Sequence, residues 1–273
     1  MLDFGLFSGQ TPPESFFKNN PPVVVMSRGH SGTRVLSWCL SKLGIPMGTS
    51  EAENKKPGDV DFAPFSKGIS KIAAKSLKLT DPTQLDPALV KKFKQLVYQY
   101  YQHIGEPKGA WGWKFPETYL IGPYIEAAFP DAKYFHMVRD GRDIAFKTHA
   151  TDDPTKKMGQ AILNHLGAMG DAHHIQAAKS WDFQVNHFEA FAKHISKERL
   201  FSLTFEELCL KPMETASEIC SFLKTEMTEE CEHYLKNDIL PGKVAQYKEN
   251  PDQEVAEVVA VLEGTAKRLG YLE

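Results

Sequence analysis

The sequence predicts an α/β fold of three layers, with a mostly parallel sheet of four or five strands between helices. Three observations carry that prediction. Short β-branched or aromatic runs alternate with stretches whose apolar residues recur at helical spacing. Alternation of this kind implies parallel strands with helices on both faces. The strand ends are also alike in chemistry, since basic residues follow the first and third strands and sit within the second.

The elements follow in order. Residues 1–21, rich in Pro, Gly and Phe, read as an irregular arm packing on the body. Val23-Val24-Val25-Met26 is a buried strand, and Val35, Leu36, Leu40 and Leu43 place a helix after it that stops near Gly44-Ile45-Pro46. Residues 47–82 are polar, punctuated by Gly and Pro and without a sustained period. An insertion this long is functional or mobile, and with Phe62 and Phe65 it is expected to border a substrate. Asp86 to His103 is helical, with Pro87 at its start and Leu89, Phe93, Leu96, Val97 and Tyr100 on one face.

Ala110 to Phe115 is the second strand and Glu117 to Phe129 a helix. Lys133 to Val138 is the third strand, opening into Arg139-Asp140-Gly141-Arg142-Asp143 and another helix. Helices follow over Met158 to Met169 and His173 to His194, the second with a structural stripe of Ile175, Ala178, Trp181, Val185, Phe188 and Phe191. Leu200 to Phe205 is the fourth strand, Pro212 to Leu223 a helix, and helices from about Thr228 and Asp252 end the chain. There is no internal repeat, so residues 1–273 read as a single domain.

Composition narrows the function classes. A chain of 273 residues with 42% hydrophobic content supports a sizeable core without staples. The net charge of −3 argues against broad binding to nucleic acid or acidic membranes, which shows as a basic excess. Cys39, Cys209, Cys220 and Cys231 lack the short spacings of a zinc site and read as reduced core thiols. The N-terminus has no basic leader region and no apolar run approaches spanning length, so a cytoplasmic protein without a membrane partner is expected.

The chemistry begins at the loop Arg28-Gly29-His30-Ser31-Gly32-Thr33-Arg34, between a strand and a helix. Such a loop presents backbone N–H groups and the positive end of a helix to an anion. Three basic strand ends on one sheet edge suggest a ligand with more than one anionic group, because ligands of open α/β sheets sit beyond the carboxyl ends of strands. The ATP-type loop G-x-x-x-x-G-K-[ST] does not fit. Only two residues separate Gly29 from Gly32, and no Lys follows.

Set beside Phe135-His136-Met137-Val138-Arg139-Asp140-Gly141-Arg142-Asp143, this loop resembles that of the sulfotransferases using 3′-phosphoadenosine 5′-phosphosulfate. The Leu203-Thr204-Phe205-Glu206-Glu207-Leu208 turn, then Pro212 and Ile219 to Leu223, is similar to a third element of that family, with Trp181 at the family's distance before it. The likeness runs from Val23 to about Tyr247. It implies a P-loop-like fold and sulfuryl transfer from that donor to a hydroxyl, or an amine, of a small-molecule or carbohydrate acceptor. It implies no metal cofactor.

The resemblance also implies roles. Ser31, Gly32, Thr33 and Arg34, with Arg28 and Gly29, would grip the 5′-phosphate end, and Arg139 the 3′-phosphate in bidentate fashion. His30 stands where the family carries Lys or Arg, so a protonated His30 would serve the leaving group, or Arg28 or Arg34 instead. Lys147 sits where a Ser contacts the 3′-phosphate; an exposed helical lysine explains it as well. Gly242-Lys243 would close over the nucleotide, although a turn before the last helix explains it too.

Lys114-Phe115-Pro116 matches the family's Lys-Thr-His, with Pro116 in place of the catalytic His. Lys114 therefore keeps its expected role and the general base is open among the carboxylates Glu51, Glu53 and Glu117. His149, His165, His173, His174, His187 and His194 read as surface or core histidines, since none has the spacing of a helical zinc site. Two other readings stand beside this one: a small-molecule kinase of P-loop type, and a nucleotide-binding protein without catalysis. The acceptor's identity and the oligomeric state are not encoded legibly.

Overall fold

The computed structural model describes residues 11–48, 62–239 and 241–273. Its sheet has strands β1 (Val23–Met26), β2 (Gly112–Lys114), β3 (Lys133–Val138) and β4 (Leu200–Thr204) in the spatial order β2-β1-β3-β4. Every pairing is parallel. The helices are α1 (Glu14–Asn19), α2 (Thr33–Lys42), α3 (Ala63–Lys75), α4 (Pro87–His103), α5 (Gly122–Ala128), α6 (Gly141–Ala145), α7 (Lys157–Leu166), α8 (His173–Ala192), α9 (Phe205–Leu210), α10 (Pro212–Leu223), α11 (Glu229–Asn237) and α12 (Asp252–Arg268).

Alternation along the strands assigns the two faces. Val24 and Met26 join Trp113 and Tyr134 in one apolar layer, under α3, α4, α5 and α8. Val23 and Val25 join Phe135, Met137 and Leu203 in the other, under α2, α9, α10 and α11. This two-residue period is that of strands buried on both sides, which is why the central strand β1 is apolar throughout. A third cluster around Ile144, Trp181 and Leu262 ties α6, α8 and α12 together beyond the end of β3.

Local chemistry sets the boundaries. Asp86 accepts from the Ala88 amide at 2.8 Å and caps α4, with Pro87 next, where a missing N–H costs nothing. Thr204 and Glu207 form a reciprocal capping box that turns β4 into α9. All four cysteines are free and buried, and the Cys39 and Cys231 sulfurs meet at 3.2 Å where α2 packs on α11.

Several boundaries differ from expectation. The arm is not irregular throughout, because α1 drives Phe16 and Phe17 into the core against Phe129. A six-residue helix is too short to show a period, and tertiary burial supplies its stability. Residues 63–75, expected as part of a structureless insertion, form α3, with Phe65, Ile69 and Ile72 inward. Gly68 and the lysines hid that pattern; a Cβ at Gly68 would lie 2.3 Å from Leu96, so the glycine serves close packing on α4. Residues 49–61, which carry Glu51 and Glu53, lie outside the described residues. The helix expected from Glu117 to Phe129 is a 3₁₀ turn, Pro116–Leu120, followed by α5, which restarts at Gly122-Pro123.

Candidate active site

A cavity of about 560 Å³ opens beyond the carboxyl ends of β1, β2 and β3. The loop after β1 contributes Gly29, His30, Gly32, Thr33 and Arg34 to its wall. Lys114, Phe115 and Pro116 come from the end of β2, and Arg139 from the end of β3. His149, Phe205 and Lys243 complete it.

The loop turns twice through left-handed backbone, at His30 (φ 67°) and Gly32 (φ 83°). At Gly32 only glycine fits, since a Cβ would stand 2.1 Å from the Phe205 ring. The Ser31 amide closes the turn onto the Arg28 carbonyl at 3.4 Å. The amides of Gly32 and Thr33 have no backbone acceptor among the described residues, and no side chain caps α2. The first turn of a ten-residue helix therefore faces the cavity with amides that lack a partner among the described residues, an arrangement favourable to an anion.

Two loop residues do not sit as expected. Arg28 is buried and is not part of the cavity wall; it pairs with Asp152, and its Nη1 donates to the Gly29 carbonyl at 2.9 Å. Its Nε has no partner among the described residues. Burial lowers the Arg28 pKa and raises that of Asp152, so for both groups desolvation outweighs their mutual attraction. Ser31 is likewise buried and is not part of the wall. The loop is thus braced from beneath by Arg28 and presents amides above.

His30 was expected as a leaving-group cation. Its Nε2 instead donates to the Thr148 carbonyl at 2.9 Å, and burial together with nearby Arg28 lowers its pKa, favouring the neutral ring. The formal cations of the wall are Arg34, Lys114, Arg139 and Lys243.

Arg139 is held firmly at the far end. Asp143 accepts from its Nε at 3.2 Å and its Nη2 at 2.8 Å, while the His30 carbonyl takes Nη1 at 3.3 Å. A second Nη2 proton goes to the Lys243 carbonyl, and the guanidinium carbon lies 4.3 Å over the Phe205 ring. Four of its five N–H groups are thus engaged by described residues. A bidentate grip on a phosphate requires the Lys243 contact to open. Lys147 stands near Arg139 and Lys243; burial, reinforced by those cations, lowers its pKa to about 8, and it donates to Gln246 at 3.3 Å.

Lys114 ends β2 and Glu117 lies in the 3₁₀ turn that follows it. Lys114 is buried at the end of β2 on the cavity wall. Glu117 is also buried but walls neither cavity; its carboxylate accepts from Ser70 at 3.5 Å. Burial raises its pKa, against the pull of Ser70 and Lys114. Ser70 in turn lines a second cavity of about 590 Å³ between α3 and α7, floored by Ala74, Phe115 and Met158. Phe115 is shared by both cavities, and Glu117 lies behind Ser70 on the wall of the second.

Sequence reasoning missed His149, Thr151 and Asp152. His149 was read as a surface or core residue, yet its ring lies on the wall against Gly29, whose Cβ would meet Nε2 at 2.1 Å. The signal was the run His149-Ala150-Thr151-Asp152-Asp153, a polar cluster shortly after Arg139 whose Asp152 is wholly buried. Among the described residues no group of three or more His, Cys, Asp or Glu is placed to hold a metal ion. No described helix is long and apolar enough to cross a membrane.

Comparison with known proteins agrees with this geometry. Residues 21–229 match the family model described as "Sulfotransferase family". The chain belongs to the sulfotransferase family. A protein-tyrosine sulfotransferase of Drosophila melanogaster is 23% identical over 202 residues, 72% of this chain and 37% of that protein. The chain therefore spans well under half the length of that relative.

Among solved structures, the fold is similar to the sulfotransferase domain from the curacin biosynthetic pathway. The TM-score is 0.53 at 16% identity, covering 90% of this chain and 98% of that one. The sulfotransferase domain from the Synechococcus PCC 7002 olefin synthase gives 0.52 at 16% identity, over 94% and 98%. At such identities the likeness is one of fold, and it places this sulfotransferase family member in the P-loop-like α/β class.

Proposed function

We propose that this sulfotransferase family member moves the sulfuryl group of 3′-phosphoadenosine 5′-phosphosulfate to a hydroxyl of a small-molecule or carbohydrate acceptor. One observation carries the reading. A single cavity has an open helix N-terminus at the β1 loop and a second pair of cations, Arg139 at the end of β3 and Lys243, with Lys147 beside them behind the wall. A donor with phosphates at its 5′ and 3′ positions fits two such sites, and the loop lacks the Lys-Ser/Thr pair, at the required spacing, that ATP with magnesium needs.

The residues suit a direct displacement. The acceptor oxygen forms a bond to sulfur as the bond from sulfur to the bridging oxygen breaks, and the adenosine bisphosphate leaves with the electron pair. Lys114 and the amides of the β1 loop stabilise the charge that builds on the bridging oxygen. Glu117 takes the acceptor's proton through the Ser70 hydroxyl, which gains that proton as it passes its own to the carboxylate; the raised pKa of Glu117 brings it nearer to the operating pH, as a general base requires. The groove between α3 and α7, sharing Phe115 with the donor cavity, is the acceptor's approach.

Thermal melts with adenosine 3′,5′-bisphosphate, and separately with ATP and magnesium, test the reading on wild type and Arg139→Ala. Binding raises the melting temperature by mass action without any acceptor. Stabilisation by the bisphosphate, lost in Arg139→Ala, is the expected result. Stabilisation by ATP with magnesium alone would favour a kinase and overturn the proposal. Bisphosphate binding with no transfer to any of a panel of hydroxyl and amine acceptors would leave a nucleotide-binding protein without catalysis.

A further inference from the structure

We infer that His149 is a neutral hydrogen-bond donor to the transferring sulfuryl group, a catalytic residue outside the loop motifs. The inference rests on the sulfotransfer reading above and concerns which atom meets the reacting group. Its ring lies against the backbone of Gly29, on the same cavity wall as Gly32 and Thr33. The His30 ring stands 5.3 Å away at 86°, and Lys114 is close enough to act on it electrostatically. His149 thus shares the cavity wall with Lys114 and the β1 loop.

The hydrogen bonds decide the tautomer. The backbone amide of Thr151 donates to His149 Nδ1 at 3.3 Å, and Thr151 Oγ lies 2.9 Å from the same nitrogen. A backbone N–H can only donate, so Nδ1 is an acceptor. The neutral ring then carries its proton on Nε2, the ring atom nearest Gly29 of the β1 loop, in a residue that lines the cavity. A general base there would need a lone pair on Nε2, so His149 acts as a donor.

Neutrality is enforced by the surroundings. Burial, then Arg28, His30 and Lys114, push the His149 pKa down to about 2. Its own amide donates to Asp152 Oδ1 at 2.9 Å, and that carboxylate also pairs with Arg28. Thr151 and Asp152 are wholly buried, so the ring is oriented before any ligand arrives. A preorganised donor that needs no reorientation stabilises developing charge more than a mobile one.

Titration calorimetry with adenosine 3′,5′-bisphosphate and with intact 3′-phosphoadenosine 5′-phosphosulfate separates the terms. His149→Leu should weaken the sulfated donor about tenfold, the value of one hydrogen bond to a charged group, and change bisphosphate affinity less than twofold. His149→Gln, which keeps an N–H, should recover most of the loss. An unchanged affinity ratio in His149→Leu with normal bisphosphate binding overturns the inference while leaving the sulfotransfer reading intact. Failure of wild type to bind either nucleotide overturns that reading instead. Nitrogen-15 NMR of wild type gives a check free of substitutions: the expected tautomer has its proton on Nε2 and does not titrate between pH 5 and 8 (roughly the range of an ordinary histidine). A proton on Nδ1, or titration in that range, overturns the inference.

Discussion

Single residues carry the chemistry here, and their environments give it direction. Glu117 is buried beside Ser70 and its pKa is raised, so its ionised form is disfavoured by folding. The stability its burial allows is present below the ordinary carboxyl range and is lost as pH rises through the folded pKa. Glu117→Gln should therefore melt above wild type at pH 8, with the gap closing toward pH 5 (about the ordinary carboxyl range), as calorimetric melts would show. The same variant should bind adenosine bisphosphate normally and transfer no sulfuryl group. At Gly32, alanine must adopt φ 83° and push its Cβ into Phe205. Gly32→Ala should cost about 1–3 kcal/mol in urea melts and weaken bisphosphate binding, because the same turn aims the amides.

At the scale of elements, caps and tethers hold the site's walls. The Thr204–Glu207 box starts α9, whose first residue, Phe205, supports both Gly32 and Arg139. Thr204→Ala should cost about 1 kcal/mol, a shift of about 2 °C in melting temperature for a chain this long. The segment from Lys243 to Tyr247 is tied to the site by backbone: the Lys243 carbonyl accepts from Arg139, and the Tyr247 amide donates to Asp143 at 2.8 Å. Hydrogen exchange at Tyr247 should change when bisphosphate binds, since a bidentate phosphate grip by Arg139 displaces the Lys243 carbonyl. Elements with caps or long periods, such as α4 and α8, were legible in the sequence. Helix α1, too short for a period, and α3, interrupted by Gly68, were not, because long-range packing stabilises both.

Across the whole molecule, the Arg28–Asp152 pair joins the β1 loop to the segment beyond α6 through the core. Removing one partner strands a buried charge, so Asp152→Ala should lose about 3–5 kcal/mol in chemical denaturation. The double variant Arg28→Met, Asp152→Leu should recover most of that stability, because burial already outweighs the pair's attraction. It should not recover the orientation of His149, whose amide loses its Asp152 acceptor. The amino-acid order by itself determined the parallel sheet, the glycine turn between β1 and α2, and the family, since strand period, helix period and a contiguous glycine turn are local patterns. Only the tertiary structure decided that Arg28 braces the loop from within, that His30 is tied to Thr148, and that His149 stands on the wall. Burial and hydrogen-bond partners depend on residues more than a hundred positions apart in the chain, and no local pattern records which of them will meet.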